Sequence, residues 1–339
     1  MNYFKFAEEI LNIDSPSGYC EDVIQYVENK VHELGYKTNK TIKGNLEIYV
    51  DGLNHDYTLG LCAHVDTLGL MVRSINSDGT LAFTNIGGPI VPTLDGEYCR
   101  IITRDKRIYT GTILSTSPAA HVYEDAKNKE RSCDTMSIRI DEKVKSKNDV
   151  LALGIQNGDY IAIDTKTEIT DSGFIKSRFL DDKISVAIIY DVLRQLKEEH
   201  ITPTYDLIIT ISTYEEVGHG SSYINSKINE LIAVDMGCIG KDLSCSEYDV
   251  SICAKDVSGP YDYNMTTKLI HLSKDNHLQY AVDIYPFYSS DASAALRAGQ
   301  NIRAALIGPG VHASHGMERT HKEAIENTIK LIMLYIKGE

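Results

Sequence analysis

An almost unbroken apolar run, LGLCAHVD, ends in two polar residues, His64 and Asp66. A strand this apolar is buried on both faces, which is typical of a parallel sheet covered by helices on each side. Successive side chains of a strand point to opposite faces, so a His and an Asp two positions apart emerge on the same face. There the carboxylate can orient an imidazole that binds a metal ion. The run therefore predicts a buried strand with chemistry at its polar end.

Four further polar clusters follow along the chain: FLDDK at 179–183, TYEEVG at 213–218, AVD at 233–235 and HASHGMERTH at 312–321. Most of them fall where a predicted strand ends or a helix begins, and ligands of open α/β sheets gather beyond the carboxyl ends of the strands. Five ligands suffice for two metal ions about 3.5–4 Å apart when one carboxylate is shared. The clusters supply them as His64, Asp181, Glu216, Asp235 and one histidine near the C-terminus.

The carboxylate clusters also have interpretations that need no metal. Asp181 and Asp182 open a predicted helix, where carboxylates cap amides and suit the helix dipole. Glu215 and Glu216 could be a solvated pair in a loop, but at a buried strand end they repel unless a cation lies between them. Asp235 follows the apolar LIAV, where an uncompensated carboxylate would be costly. In a two-metal hydrolase one of two adjacent carboxylates can bind metal while the other moves a proton.

The C-terminal cluster contains three histidines within ten residues, in a loop after AALIGPG: His312, His315 and His321. Zinc favours imidazole and carboxylate ligands, and the chain has no cluster of thiolates. One histidine alone could lie on the surface, whereas at least one of three is expected to bind metal. The spacing does not decide which of them does.

Between about Leu68 and Ala162 the sequence changes to short β-rich pieces separated by turn signals. Afterwards strand and helix patterns alternate: FLDDKISVAIIYDVLRQLKEE predicts an amphipathic helix, YDLIITIST a strand, SSYINSKI a short helix and ELIAVDMG another strand. EAIENTIKLIMLYIKG predicts a final helix that covers the sheet. We therefore expect an α/β fold with a mostly parallel sheet flanked by helices. Residues 1–67 and 163–339 would form this catalytic domain, and residues 68–162 an inserted small β-barrel.

The composition excludes several classes of protein. The net charge of −14, from 34 basic and 48 acidic residues, opposes binding to nucleic acid or to an anionic membrane. The seven cysteines are scattered and include no Cys-x-x-Cys pair, so they are expected to be reduced and mostly buried. MNYFKFAEEILNI lacks the pattern of a secretion signal, and no run approaches the roughly 20 apolar residues that span a bilayer. A cytoplasmic protein is expected.

The five clusters together resemble the tetrahedral-type (TET-like) metallo-aminopeptidases, metallopeptidase family forty-two, which includes glutamyl and deblocking aminopeptidases. That family has a His-x-Asp after a strand, an Asp-Asp before a helix, a Glu-Glu-Val-Gly, a Val-Asp and a late His followed by Glu. This chain matches these motifs in order at His64 and Asp66, Asp181 and Asp182, Glu215–Gly218, Val234 and Asp235, and His315 with Glu318. The resemblance covers nearly the whole length, and the order and spacing of five motifs are highly specific.

The resemblance implies a zinc-peptidase-like fold and a role for each matched residue. The ligands would be divided between two metal sites that share one carboxylate: His64 and Asp235 in one, Glu216 and His315 in the other, and Asp181 in both. Glu215 would be the general base that activates the metal-bridged water, and it would then protonate the leaving amine. Asp66 would orient His64. Asp182 would lie just outside the ligands, joined to Asp181 by a cis peptide bond.

The resemblance also implies the cofactors and partners. Two divalent metal ions are expected, with zinc favoured and cobalt or manganese accepted by the same ligands. The substrates would be short peptides that lose their N-terminal residues. The inserted β domain, similar to the family's dimerisation domain, implies a homo-oligomer of dimers that can build into a twelve-subunit tetrahedral shell.

Some positions depart from the family and leave the substrate open. Thr67 stands where Glu is common, Lys183 where Arg is common, and HGMERTH replaces a His-Ser-Pro pattern. A deacylase or amidohydrolase of a small N-acylated metabolite is therefore an alternative, and a noncatalytic metal-binding scaffold is another. The segment YPFYSSDASAA, with Tyr288, resembles a pocket segment of the family, although it could equally be a turn that begins a helix. The candidates for substrate contact are Ser290, Asp291 and His321.

Overall fold

The computed structural model describes residues 1–338, which divide into two compact units. One unit consists of Met1–Asp66 together with the chain from Lys166 onward, and the other is Thr67–Thr165. The first contains a large sheet flanked by helices, and the second is a closed β-barrel. The predicted fold class, an α/β sheet with a small inserted barrel, is therefore confirmed.

The described residues form seven α-helices and nineteen strands, numbered here in chain order. Helices α1–α7 are Tyr3–Leu11, Glu21–Glu33, Lys147–Ala152, Leu180–Glu198, Tyr263–Asp275, Asp291–Arg297 and Lys322–Lys337. Strands β1–β10 are Lys37–Lys40, Leu46–Val50, Asn54–His64, Gly69–Ile75, Leu81–Ile86, Tyr98–Ile102, Ile108–Ser115, Met136–Ile140, Tyr160–Ile163 and Glu168–Ile169. Strands β11–β19 are Phe174–Ser177, Tyr205–Ser212, Glu230–Val234, Gly237–Cys238, Val250–Asp256, Gly259–Pro260, Tyr280–Ile284, Arg303–Val311 and Glu318–His321.

The α/β unit is built on a ten-stranded mixed sheet with the order β1-β2-β12-β3-β13-β18-β15-β16, in which β14 pairs with β18 and β17 with β15. The central strands β12, β3, β13 and β18 are parallel to one another. Antiparallel strands flank them: β2 pairs antiparallel with β12, and β15 pairs antiparallel with β18. The four parallel strands end at the same edge of the sheet, and Ser212 at the end of β12 is level with His64 at the end of β3.

Helix α4 is buried along most of its length, from Leu180 to Leu193 and again at Leu196. The sequence pattern predicted an amphipathic helix with a solvated face. That prediction was wrong about the solvated face, because α1 and α7 both pack against α4 while it also contacts β3. Burial on all sides holds the first turn of α4, which contains Asp181 and Asp182, rigidly beside the ends of the central strands.

The C-terminal helix α7 is confirmed, and the positions of its predicted face are buried: Ile325, Thr328, Ile329, Ile332, Met333 and Ile336. Thr328 is a polar member of this face, and its hydroxyl donates to the main-chain oxygen of Ala324. The short helix predicted for SSYINSKI is wrong, because this segment consists of turns. The side chain of Asn225 accepts a hydrogen bond from the backbone N–H of Lys227, a local turn that competes with helix formation. Ile224 and Ile228 are nevertheless buried, so their apolar spacing reflects packing in a turn.

The second unit is a closed antiparallel barrel with the strand order β4-β5-β8-β7-β6-β9. Closure removes the open sheet edges that would otherwise pair with other chains. Its interior is filled by side chains such as Leu70, Phe83, Ile101, Ile113 and Ile138, each almost fully buried. The unit therefore has a hydrophobic core of its own.

Two sequence predictions concern membrane-spanning helices and the state of the cysteines. Among residues 1–338, none of the helices has the length and apolar character needed to cross a membrane. All seven cysteines are free thiols, and only Cys133 and Cys238 are partly exposed. Burial raises the pKa of the Cys99 thiol to about 12. The prediction of unpaired, mostly buried cysteines is confirmed.

Candidate metal centre

The predicted ligands converge at the edge where the four parallel strands end. His64 is the last residue of β3, Glu215 and Glu216 lie in the turn after β12, and Asp235 directly follows β13. The loop between β18 and β19 contains His315. The convergence follows from the topology, because parallel strands bring residues far apart in sequence to one sheet edge.

Asp181 lies between the two histidines. Its Oδ1 is 3.2 Å from Nε2 of His64, and its Oδ2 is 3.6 Å from Nε2 of His315. Nε2 of His315 is also 3.7 Å from Glu216 Oε2, and Nε2 of His64 is 3.6 Å from Glu215 Oε2. A carboxylate with one oxygen towards each of two imidazoles has the arrangement that two metal ions sharing a bridging ligand would need.

The side chains also fit a metal chemically. Two sets have ligand atoms that all lie within 4.8 Å of one another: His64, Glu215 and Asp235, and His64, Asp181 and Glu216. The buried Nε2 of His64 and Oε1 of Glu216 have no hydrogen-bond partner of normal geometry among residues 1–338. Buried polar atoms of native proteins are normally paired, so two such atoms facing one small volume indicate a missing ligand. Imidazole and carboxylate together suit zinc, cobalt or manganese.

The carboxyl groups of the centre repel one another when no cation is present. Burial, followed by the charges of neighbouring carboxylates, raises the pKa of Glu216 well above its usual range. Burial and the charge of Asp181 raise the pKa of Asp235 to about 7. For Asp181 the effect of burial is outweighed by His64 and His315, which lower its pKa. A divalent cation would relieve this repulsion and restore the ionised forms.

After removal of metal, the folded protein should therefore become less stable as the pH rises. The Asp235 carboxyl loses its proton near its ordinary pKa of 3.8 when unfolded but only near 7 when folded. Its contribution to the unfolding free energy is complete below about pH 4 and is lost as the pH rises towards 7. Burial lowers the pKa of His64, but Asp181 and Asp66 outweigh it and raise this pKa above 6.5. The contribution of His64 to the unfolding free energy is therefore also lost as the pH rises.

The check is the melting temperature of chelator-treated protein, which we expect to be lower at pH 7.5 than at pH 5. An Asp235→Asn variant should show a smaller difference between the two pH values. Metal-loaded protein should gain most at the higher pH, because protons compete with metal for the ligands. A chelated protein that is more stable at pH 7.5 than at pH 5 would contradict this electrostatic description.

Asp66 contacts the centre in two ways. Its main-chain oxygen is 2.9 Å from Nδ1 of His64, while its carboxylate Oδ1 is 3.5 Å from that atom. The carboxylate instead accepts hydrogen bonds from the backbone N–H groups of Glu215, at 3.0 Å, and Glu216, at 3.2 Å. The Ser17 hydroxyl donates to it as well. Asp66 therefore positions the Glu215–Glu216 turn directly, in addition to contacting the imidazole.

Asp182 is fully buried behind the ligands. The peptide bond between Asp181 and Asp182 is cis, as the resemblance implies. Oδ2 of Asp182 accepts a hydrogen bond of 3.1 Å from the backbone N–H of His64. Burial and the charge of Asp235 raise its pKa well above the usual range. Asp182 thus anchors the end of β3 to the start of α4.

Glu318 was matched in the sequence motif, but no role could be predicted for it. Its Oε2 accepts a hydrogen bond of 3.0 Å from the backbone N–H of Asp181, and its Oε1 one of 2.9 Å from that of His315. Its side chain is almost fully buried. Backbone groups of two ligands from different parts of the chain are thereby held by one carboxylate. The only sequence signal was an acidic residue three positions after a candidate ligand.

Glu318→Gln is expected to weaken metal binding by about 10–100-fold, the usual cost of disturbing groups that orient ligands. The amide would replace one acceptor oxygen by a donor that faces a backbone N–H. Glu326→Gln, an exposed position on α7, is the matched control. Isothermal titration of chelated protein with zinc would measure the effect, and an unchanged affinity would show that Glu318 does not hold the ligands.

The three candidates for substrate contact all make contacts within the protein. Ser290 caps α6 and forms a capping box with Ser293. Asp291 accepts hydrogen bonds from the backbone N–H of Ser221 and from the hydroxyl of Ser212. His321 caps α7, and its Nε2 lies 2.9 Å from the main-chain oxygen of Ser172. These contacts fix the positions of the three side chains, and their contact with substrate stays a prediction.

The remaining residues singled out in the sequence have distinct positions. His312 is exposed and forms a β-bridge with Arg319. Of the three C-terminal histidines, only His315 is within 4 Å of carboxylates of the centre. Lys183, which replaces the common Arg, donates from Nζ to the main-chain oxygens of Ile10 and Ile13. It therefore ties the end of α1 to the segment that contains Asp181.

The hydroxyl of Tyr288 is buried and is affected by two carboxylates of the centre. Burial raises the pKa of Tyr288 well above its usual range, and the nearby charges of Asp235 and Asp181 add to the effect. Its ring lies edge-on to that of Tyr285, with 5.2 Å between the centroids.

Residues 44–331 match the model of the M42 glutamyl aminopeptidase family. The sequence is 44% identical over 335 residues to "Putative aminopeptidase YhfE" of Bacillus subtilis (strain 168), an alignment that covers 98% of this chain and 97% of that protein.

The fold is similar to two solved structures of low sequence identity. The TET1 peptidase of Pyrococcus horikoshii superposes with a TM-score of 0.86 at 21% identity, covering 99% of both chains. A TET aminopeptidase from a marine sediment archaeon of the Thaumarchaeota superposes with a TM-score of 0.88 at 17% identity, covering 99% of this chain and 96% of that one. These matches confirm the resemblance seen in the five motifs. The chain belongs to the M42 glutamyl aminopeptidase family and is a hydrolase that acts on peptide bonds.

Proposed function

We propose that the protein is a two-metal aminopeptidase that removes N-terminal residues from short peptides. The observation that supports the two-metal centre best is the position of Asp181, with its two oxygens 3.2 Å and 3.6 Å from the imidazoles of His64 and His315. A carboxylate with one oxygen towards each imidazole can bind two ions at once, one beside each histidine. We assign the ligands as His64 and Asp235 to one ion, Glu216 and His315 to the other, and Asp181 to both.

The proposed ions supply one part of the chemistry: two bound divalent cations would polarise the scissile carbonyl and lower the pKa of water towards 7. Glu215 would move the proton. Its Oε2 lies 3.6 Å from Nε2 of His64, and Asp66 holds its backbone. As general base it would take a proton from the attacking water and deliver it to the leaving amine when the C–N bond breaks.

Glu215 also lies within metal-ligand distance of His64 and Asp235. We assign Glu216 rather than Glu215 as the ligand because Glu216 approaches His315, while Glu215 lies on the His64 side, where Asp181 and Asp235 already supply carboxylates. This assignment leaves a carboxylate free for proton transfer beside the reacting carbonyl. Zinc is the cation that we favour, since histidine and carboxylate ligands suit it.

We also propose that the chain forms homo-oligomers, with the barrel unit as the dimerisation element. The support is the similarity to the TET1 peptidase, which assembles into a tetrahedron or a large octahedral shell. Light scattering would test this assembly directly. A dimer or a multiple of dimers is expected, and a monomer at all concentrations would refute it.

The function is tested by the release of free amino acids from a panel of unblocked and N-acylated peptides. Metal-loaded protein is compared with a chelated sample, and each is then resupplied with zinc. Metal-dependent release from unblocked peptides is the expected result, and it would also rank the side-chain preferences. Activity on acylated substrates alone would reassign the protein as a deacylase that uses the same centre.

A further inference from the structure

The residue proposed to move the proton lies in a loop whose tip is exposed. This Glu215 loop follows β12 and runs from Thr213 to Gly220, and Val217 and Gly218 at its tip are exposed. A loop of this kind is more mobile than the strands that it connects unless side chains from other elements hold it. The position of the Glu215 carboxylate therefore depends on what fixes the two ends of the loop.

The side chain of Asn45 joins these two ends. Asn45 directly precedes β2 and is only 1% exposed. Its Nδ2 donates a hydrogen bond of 3.0 Å to the main-chain oxygen of Gly220, and its Oδ1 accepts one of 3.1 Å from the hydroxyl of Thr213. A main-chain oxygen can only accept, so this contact also decides which way the amide points. One buried side chain therefore closes the neck of the Glu215 loop.

Asn45 is itself fixed to the sheet. Its backbone N–H donates to the hydroxyl of Thr41 at 3.1 Å, and its main-chain oxygen accepts a hydrogen bond of 2.9 Å from the backbone N–H of Thr41. The next residue, Leu46, is paired with Ile211 of β12, the strand that leads into the loop. Asn45 therefore holds Gly220 at a fixed place relative to the strand from which the loop begins.

Other side chains hold neighbouring parts of this segment. Asp291 accepts hydrogen bonds from the hydroxyl of Ser212 and the backbone N–H of Ser221, which lie just outside the two ends of the loop. Nζ of Lys43 donates to the main-chain oxygen of Gly220 at 3.2 Å. Asp291 thus fixes the residues that flank the loop and Lys43 one of its ends, whereas Asn45 spans both ends.

We infer that Asn45 is a positioning residue that keeps the Glu215 carboxylate in place for proton transfer by closing the neck of the Glu215 loop. The inference rests on the proposed aminopeptidase function. Asn45 moves no proton and acts only through Thr213 and Gly220. Without its amide the two ends of the loop can separate, and a displacement of the base by about 1 Å can lower the rate by about 10²-fold.

The test removes the two partners of one hydrogen bond, by Asn45→Ala and by Thr213→Val. Metal-loaded proteins are assayed on the same unblocked amino-acid p-nitroanilide. Asn45→Ala should lower kcat by about 10²-fold and leave KM within about threefold. Thr213→Val should lower kcat by a smaller factor, about three- to tenfold, the usual effect of one hydrogen bond.

Two further variants are the controls. Thr213→Ser keeps the hydroxyl that donates to Asn45 and should have the parent kcat. Asn29→Ala makes the same change at an exposed position of α2 and should also have the parent kcat. A general sensitivity of the protein to loss of an asparagine would lower the activity of both asparagine variants alike.

Two readouts separate positioning from a loss of overall stability. In the Asn45→Ala background the Thr213 hydroxyl has lost its amide partner, so adding Thr213→Val should lower kcat no further. Hydrogen–deuterium exchange, followed by mass spectrometry, should become faster in residues 213–221 of Asn45→Ala and stay unchanged in α7. A loss of overall stability would instead speed exchange in both segments.

The outcomes separate this inference from the proposed function. A folded Asn45→Ala variant with kcat within about threefold of the parent value would refute the inference, and so would a lower kcat with unchanged exchange in residues 213–221. If Asn45→Ala did not fold, equal kcat values for Thr213→Val and Thr213→Ser would refute it.

Metal binding gives a further distinction, because the same loop contains the proposed ligand Glu216. If excess zinc restored the kcat of Asn45→Ala, Asn45 would act by supporting that ligand, and its assigned effect on Glu215 would be wrong. Parent protein without metal-dependent release of amino acids would overturn the proposed function itself, and the inference with it.

Discussion

Glu215→Gln is expected to lower kcat by about 10²–10⁴-fold, the usual contribution of a positioned general acid–base group. Glutamine keeps the size of the side chain but cannot take a proton from water. The fold and the metal content should be retained, because the backbone N–H of Glu215 still donates to Asp66. Steady-state kinetics on an unblocked peptide would measure the loss, together with the metal content and the melting temperature.

Glu199→Gln at the exposed C-terminal cap of α4 is the matched control and should have full activity. If Glu215→Gln turned over substrate at the parent rate, the assigned proton transfer would be wrong. If it lost one metal ion per chain, Glu215 would be a ligand, as its distance to His64 and Asp235 permits. The kinetic and metal measurements together therefore decide between the base and the ligand.

Asp181→Ala is expected to have the second large effect, a loss of activity of about 10³-fold or more. Both proposed ions share this carboxylate, so its removal takes a ligand from each of them and loosens the centre as a whole. Metal content should fall well below two ions per chain, and added zinc should restore activity only partly. Titration of chelated variant protein with zinc, followed by activity and by heat, would measure both effects.

Asp242→Asn is the control for this variant, because Asp242 is exposed and its left-handed backbone conformation tolerates asparagine. If Asp181→Ala bound one ion with parent affinity and lost only the other, Asp181 would belong to a single site. The bridging assignment would then be withdrawn, although the two imidazoles would still face the centre.

The convergence of the ligands could be predicted because it depends on local patterns. The apolar run before His64 predicts a buried central strand, and LIAV before Asp235 predicts another. Parallel strands of one sheet end at one edge, so polar residues directly after them must lie close together. The general position of the centre therefore follows from strand periodicity and from the alternation of strands with helices.

The groups that hold the ligands could not be predicted in this way. Glu318 reaches the backbone of Asp181 across 137 positions of sequence, and Asp66 reaches Glu215 across 149. Carboxylate-to-backbone bonds of this kind leave no period in the sequence, because the acceptor can bind the N–H of any residue type. Only the three-dimensional arrangement shows which acidic residues hold the backbone and which face the candidate metal centre.

The burial of α4 could not be predicted from the sequence either. Residues 180–196 of α4 show mixed polar and apolar positions, which predict a solvated face, yet Asp182, Lys183 and Ser185 are all fully buried. Lys183 is accommodated because main-chain oxygens of Ile10 and Ile13 accept its hydrogen bonds. A polar residue near a functional centre can be buried, because its hydrogen-bond partners come from other elements of the fold. The polar positions of such a helix therefore do not mark a solvated face.

The central claim is a two-metal centre bridged by Asp181, and anomalous diffraction from crystals equilibrated with zinc tests it most directly. Two peaks per chain are expected, about 3.5–4 Å apart. One peak should contact His64 and Asp235, the other His315 and Glu216, and both should contact Asp181. A single peak, or two peaks without a shared carboxylate, would contradict the account.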